Sequence, residues 1–128
     1  MELHELIPKD KYDLPAVILA KRVGFPSLTP ILPDLLEWTR DYNWPVAKPI
    51  FEVLSDAGSE IVPHLCSAFR SDDSVWKYWL LSELCPELTK KIIDALHPDI
   101  VRLANHPTKS DQAEGVDIAA AALTISKV

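Results

Sequence analysis

Eleven prolines against three glycines would make most chains of 128 residues rich in loops, but here the prolines stand where helices begin. Asp13-Leu14-Pro15, Thr29-Pro30, Asn43-Trp44-Pro45 and Cys85-Pro86 each place the ring in what would be a first helical turn. There the missing N–H has no intrahelical partner to lose, and the fixed φ already suits a helix. Asp13, Thr29, Asn43 and Ser59 then read as N-caps, whose side-chain oxygens accept from the free N–H groups of the first turn. Between these points apolar residues recur with helical spacing: Ile31, Leu35 and Trp38; Val46, Ile50, Val53 and Ala57; Ile61, Leu65 and Ala68. These are i, i+4, i+7 faces, and no stretch sustains the period of two that a half-buried strand needs. Gly24 and Gly58 fall just past two such segments, where a left-handed cap residue is wanted. The pattern predicts an all-α chain with helices near 14–23, 30–41, 44–57, 60–70, 74–85, 87–96, 98–105 and 113–126, an N-terminal arm over 1–12 and a loop over 106–112. The predicted core includes Leu35, Ile50, Leu54, Leu65, Trp79 and Leu80.

A 48% hydrophobic share gives a chain of this length enough apolar material for one core, so a single domain over 1–128 is expected. The formal charge of −6 is spread through interleaved acids and bases and offers no basic patch. Such a surface repels nucleic acid and anionic lipid, both of which are bound through clustered cations. No run approaches the roughly 20 apolar residues of a membrane span. The opening Met-Glu-Leu-His-Glu lacks the regions of a signal peptide, so a cytoplasmic location is expected. In that setting Cys66 and Cys85 read as reduced small hydrophobes.

Ile31-Leu32-Pro33-Asp34-Leu35 recurs as Ile61-Val62-Pro63-His64-Leu65 at an offset of 30 residues, each with a cap residue, Thr29 or Ser59, four positions before the proline. Both helices should bend or tighten at the same turn. A weaker echo at 31 residues links Ile50-Phe51-Glu52-Val53 to Leu81-Ser82-Glu83-Leu84. Similarity at such a period, with two helices per unit, is the pattern of stacked helix-pair proteins. The blocks Asn43-Trp44-Pro45-Val46-Ala47 and Asp72-Asp73-Ser74-Val75-Trp76-Lys77-Tyr78-Trp79-Leu80-Leu81, with Ile7-Pro8-Lys9-Asp10-Lys11-Tyr12-Asp13 upstream, resemble the bacterial domain-of-unknown-function family DUF5071 from Ile7 to about Thr108. That resemblance implies a small helical domain akin to HEAT-type repeats, and it carries over no activity, substrate or catalytic residue. Together these readings predict a right-handed stack of antiparallel helix pairs, a HEAT/TPR-like α-α superhelix of seven or eight helices.

No catalytic, cofactor or metal site is predicted. His64 and Cys66 point to different sides of a helix, and neither a Cys-x-x-Cys nor a His-Glu-x-x-His motif occurs. The three glycines are too scattered to cradle phosphate. Glu52 and Glu83, set within apolar helices, are the acids with the best claim to a buried general-acid role, and a small enzyme or small-molecule pocket near them is the alternative function. The favoured function is a non-catalytic protein-protein interaction module. Its expected surface is an acidic and aromatic edge formed by Tyr42, Asn43, Trp44, Asp72, Asp73, Lys77 and Tyr78, with Lys77 and Tyr78 reaching solvent. Trp44 and Trp76 stand at corresponding helix starts, and two readings stay open for them: rings that anchor a partner, or rings that brace the turns from inside.

Overall fold

A computed structural model describes residues 2–125, with the side chain of Ile125 set aside. These residues fall into two compact units, one up to Ile61 and one from Val62 onward. All the regular structure among them is helical. The first unit runs through a 3-10 turn at Leu3–Leu6, α1 (Leu14–Val23), a 3-10 turn at Thr29–Ile31 leading into α2 (Leu32–Glu37), α3 (Ala47–Leu54) and a 3-10 turn at Ser59–Ile61. The second holds α4 (Val62–Phe69), α5 (Ser74–Trp79), a π-helical turn at Leu80–Leu84, a 3-10 turn at Cys85–Glu87, α6 (Lys90–Asn105), α7 (Lys109–Ala113) and α8 (Val116–Ile125). The eight α-helices among the described residues match the expected fold class and helix number.

In the first unit α1 begins as its sequence dictates. Asp13 accepts from the Ala16 amide at 3.3 Å, Pro15 sits in the first turn, and Gly24 closes the helix at φ 67°, donating to the Ala20 carbonyl at 2.9 Å. α1 lays Ala16, Val17 and Ala20 on α3, which buries Ala47, Ile50, Phe51, Val53 and Leu54. Asn43 is not the cap of α3. The Asp41 carboxylate takes the Asn43 amide at 2.9 Å, and the Trp44 amide donates to the Asp41 carbonyl at 3.1 Å, so these residues close turns and the helix expected from 44 begins at Ala47. α2 stops short for a related reason: the Thr39 hydroxyl donates to the Leu36 carbonyl at 2.6 Å, competing for the acceptor that another helical turn would use.

In the second unit α6 makes the broadest contacts, with α8 on one side and α4 on another, while α5 and the π-helical turn also pack on α8. The predicted break at His97-Pro98 is absent, and α6 runs straight through Pro98. Ile92, Leu96, Ile100 and Leu103 form one uninterrupted buried stripe, and burying it outweighs the amide bond that the exposed proline removes. The expected loop over 106–112 contains the start of α7, opened by a reciprocal cap. Thr108 Oγ1 accepts from the Asp111 amide at 3.0 Å, and the Asp111 carboxylate accepts from the Thr108 amide at 3.2 Å. Gly115, at φ 77°, then separates α7 from α8, so α8 begins at Val116, three residues later than the helix expected over 113–126; residue 126 lies outside the described residues. Of the six predicted core residues, Leu35, Ile50, Leu54, Leu65 and Leu80 are buried, whereas Trp79 is half-buried.

Pro33 and Pro63 share a local conformation. Each is the second residue of an α-helix entered through a 3-10 turn, Thr29–Ile31 in one case and Ser59–Ile61 in the other, which is the tightening expected from the repeated pentapeptide.

Candidate functional site

The seven residues of the expected edge divide between the units. In the first, Tyr42 is half-buried with its ring 5.6 Å from that of Phe51, Asn43 is exposed, and Trp44 is half-buried, edge-on to Trp38 at 5.4 Å. In the second, Asp72 is exposed, and half-buried Asp73 caps α5 by accepting from the Trp76 amide at 3.0 Å. Tyr78 is half-buried, edge-on to Trp79 at 5.1 Å. Trp76 is buried, which favours the bracing reading for that ring.

Lys77 corrects the sequence reading outright. Its side chain, expected at the surface, is 4% exposed, and its ammonium lies 2.8 Å from the carboxylate of Asp111, itself 2% exposed. An ammonium can leave water only if a charge partner compensates it, and the cap residue of α7 supplies one. The Ser74 hydroxyl also donates to Asp111, at 2.7 Å. Burial by itself raises the Asp111 carboxyl, but hydrogen bonds from Lys77, Ser74 and the Thr108 amide outweigh it and hold the group below the usual carboxylate range.

A second charged cluster ties α4 to α6. Arg70 grips Asp99 through both oxygens, at 3.1 and 3.3 Å, while Arg102 reaches the same carboxylate at 3.2 Å and the Phe69 carbonyl at 3.1 Å. For Asp99 too, burial pushes up and the hydrogen bonds from Arg70, Cys66 and Arg102 pull further down, leaving it below its ordinary value. Both cysteines are free thiols. Burial raises the thiol of Cys66, as does its hydrogen bond to Asp99, and burial alone pushes Cys85 up to about 12, so neither is a thiolate at neutral pH. The acids proposed for catalysis are both exposed: Glu52 meets Lys21 at 3.6 Å in water, and Glu83 stands on the open side of the π-helical turn.

Beside these clusters lies an apolar cleft of about 530 Å³ between the π-helical turn and α8. Tyr78, Leu81, Cys85, Ile118 and Leu123 line it together with Ser82, whose buried Oγ bonds to nothing among the described residues. The π geometry helps to set this wall: the Cys85 amide reaches back five residues to the Leu80 carbonyl, and Leu80, Leu81, Leu84 and Cys85 are all buried. Ile118, 73% exposed, forms part of the opposite wall on α8. Sequence reasoning included Tyr78 but missed the cleft, because Ile118 and Leu123 join it only through the packing of α8. Thr108-x-x-Asp111 has the spacing of a capping box and signals the start of α7, but nothing local to it points to Lys77.

Fold and site define a small all-α protein whose buried ions are paired with one another and whose second unit carries an open apolar cleft. Among the described residues no helix is long and apolar enough to cross a membrane, and no His, Cys, Asp and Glu side chains are grouped to hold a metal ion. The chain belongs to the DUF5071 family, a domain of unknown function, whose profile matches residues 6–124 and so extends the resemblance through α7 and nearly all of α8. No curated protein matches the chain.

Proposed function

We propose that this chain is a non-catalytic protein-binding module and that it takes an apolar segment of another protein in the cleft between the π-helical turn and α8. The observation that carries the reading is the cleft itself: its volume falls in the range of ligand sites, its walls are largely aliphatic and aromatic, and Ser82 leaves one buried hydroxyl for a partner's backbone or side chain. Highly exposed Ile118 gives the incoming chain apolar surface at the rim, which suits an amphipathic helix presenting residues at i, i+3 and i+4. Tyr78 is the aromatic anchor, and it is the residue of the expected acidic and aromatic edge that lines the cleft. The charge of −6 favours encounter with basic partners and repels nucleic acid. The reading goes with a cytoplasmic helical-repeat protein, its helix pairs stacked in the manner suggested by the 30-residue spacing.

A photo-crosslinking amino acid at Ala122, in a cleft wall, should trap a partner in the native host, while the same group at Lys90, exposed on α6, should not. Ile118→Lys should abolish that cross-link and leave the circular dichroism spectrum unchanged. A cross-link that survives Ile118→Lys in a folded chain refutes the cleft as the binding surface. A small molecule retained through purification, and lost in Tyr78→Ala, would replace the protein partner with the small-molecule alternative.

A further inference from the structure

The second unit has another cleft of opposite chemistry, about 330 Å³, with Arg70, Lys77, Arg102, Thr108, Ser110 and Asp111 in its walls. We propose that this cleft binds a phosphate group, gripped by Arg70 and Arg102 and by the hydroxyls of Thr108 and Ser110. The reading is independent of the apolar cleft and of what occupies it.

The inference rests on a mismatch between donors and acceptors. Two guanidiniums converge on the single carboxylate of Asp99, so the cluster carries one positive charge in excess. Asp99 is 6% exposed and sits behind its partners, whereas Arg70 is 67% and Arg102 42% exposed, so a ligand entering the cleft meets the cations first. Arg70 bonds Asp99 through Nε and Nη2, and Arg102 uses Nη2 for both of its contacts. Nη1 of each, with Nε of Arg102, donates to nothing among the described residues. Asp111 is engaged by Lys77, Ser74 and the Thr108 amide. Thr108 Oγ1 accepts from the Asp111 amide and keeps its own hydrogen to donate, and the exposed Ser110 hydroxyl is without a partner among the described residues.

The buried acids are thus saturated while cations and hydroxyls keep free hydrogens, which is the inventory an oxyanion needs and a metal cation does not. Asp72, an exposed carboxylate in the same wall, opposes an anion, and Ser71 adds little because its hydroxyl donates to the Ala68 carbonyl at 2.7 Å. Phosphate fits better than carboxylate because donors just past the end of α4, on α6 and around the start of α7 can each meet a different oxygen.

The test is a titration of the full chain with inorganic phosphate, at pH 7.5 and constant ionic strength, followed by amide chemical shifts. Saturable shifts should gather at residues 69–72, 102 and 108–111 and should not appear with chloride. Arg102→Gln should weaken binding about tenfold, the effect of losing one charge-assisted contact. Ser110→Asp should abolish binding, and because the exposed Ser110 hydroxyl bonds to neither Asp99 nor Asp111 this variant keeps the test valid even if Arg102→Gln disturbs the fold. Phosphate shifts equal to those of chloride, or unaltered in Ser110→Asp, would overturn the assignment.

Discussion

The Lys77–Asp111 pair gives the sharpest test of how the second unit is held together. Both side chains are almost wholly out of water and 2.8 Å apart, so each charge depends on the other. Removing one partner from such a pair costs about 3–5 kcal/mol, because the survivor is left as an uncompensated buried ion. Lys77→Met should fall near the low end, about 3 kcal/mol, since Asp111 keeps the Ser74 hydroxyl at 2.7 Å and the Thr108 amide at 3.2 Å. Asp111→Leu should fall near the high end, about 5 kcal/mol, since Lys77 loses its anion and α7 loses half of its cap. The double variant leaves no charge exposed to a dry interior and should cost only about 1–2 kcal/mol for the lost cap and the stranded Ser74 hydroxyl. Urea unfolding of the three variants, followed by circular dichroism and tryptophan fluorescence, measures each shift as a change in midpoint at constant slope. Single-variant costs below about 1 kcal/mol, or a double-variant cost equal to the sum of the singles, would refute the claim that the pair acts as a unit.

Pro98→Ala should stabilise the chain by about 2 kcal/mol, because the interior proline penalty of roughly 3 kcal/mol is relieved and less than about 1 kcal/mol returns as added freedom of the unfolded chain; a lower urea midpoint would show that the ring contributes a contact to α6. Acid should unfold the second unit through its carboxylates. Asp99 and Asp111 are both held below their ordinary values in the folded chain, so their contribution is fully present above the unfolded carboxylate value near about 4 and is lost as pH falls through the folded values. Melting temperature should therefore hold level from neutral pH to about 5 and then drop, less steeply in Asp99→Asn, and a rise on acidification would contradict the sign.

What the sequence made legible is what neighbours along the chain decide. The apolar spacing defines helices whatever packs on them, and Asp13 caps α1 because the amides it serves lie within three residues. The prolines were harder. Pro15 sits in a first turn as its position suggests and Pro33 and Pro63 follow 3-10 turns, but Pro98 carries the same local preference and is overruled by a stripe from Ile92 to Leu103 that has somewhere to be buried. The site was less visible still. Lys77 beside Asp72 and Asp73 looks like part of a charged surface until Asp111, 34 positions further on, is placed against it. Arg70 and Asp99 are likewise 29 apart, and only the packing of α4 on α6 brings them together. Gly115 carries the same local cap signal as Gly24, and its φ of 77° falls in the turn between α7 and α8.

The π-helical turn at Leu80–Leu84 bears on how chains of this family can vary in length. A turn closed by a bond over five residues holds one residue more than an α-helical turn closed over four. The second unit therefore carries a local surplus of chain, in a helix that would remain a helix without it. Losing one residue here would let the backbone tighten into α geometry while the segments on either side keep their phase, because four residues then close the turn that five close now. Leu81 and Cys85 could not then keep their places beside Leu80 and Leu84, and the wall facing α8 would narrow. A family member shorter by one residue at this point should keep the fold and present a different cleft, which makes this turn the place where insertion and deletion act on binding before they act on stability.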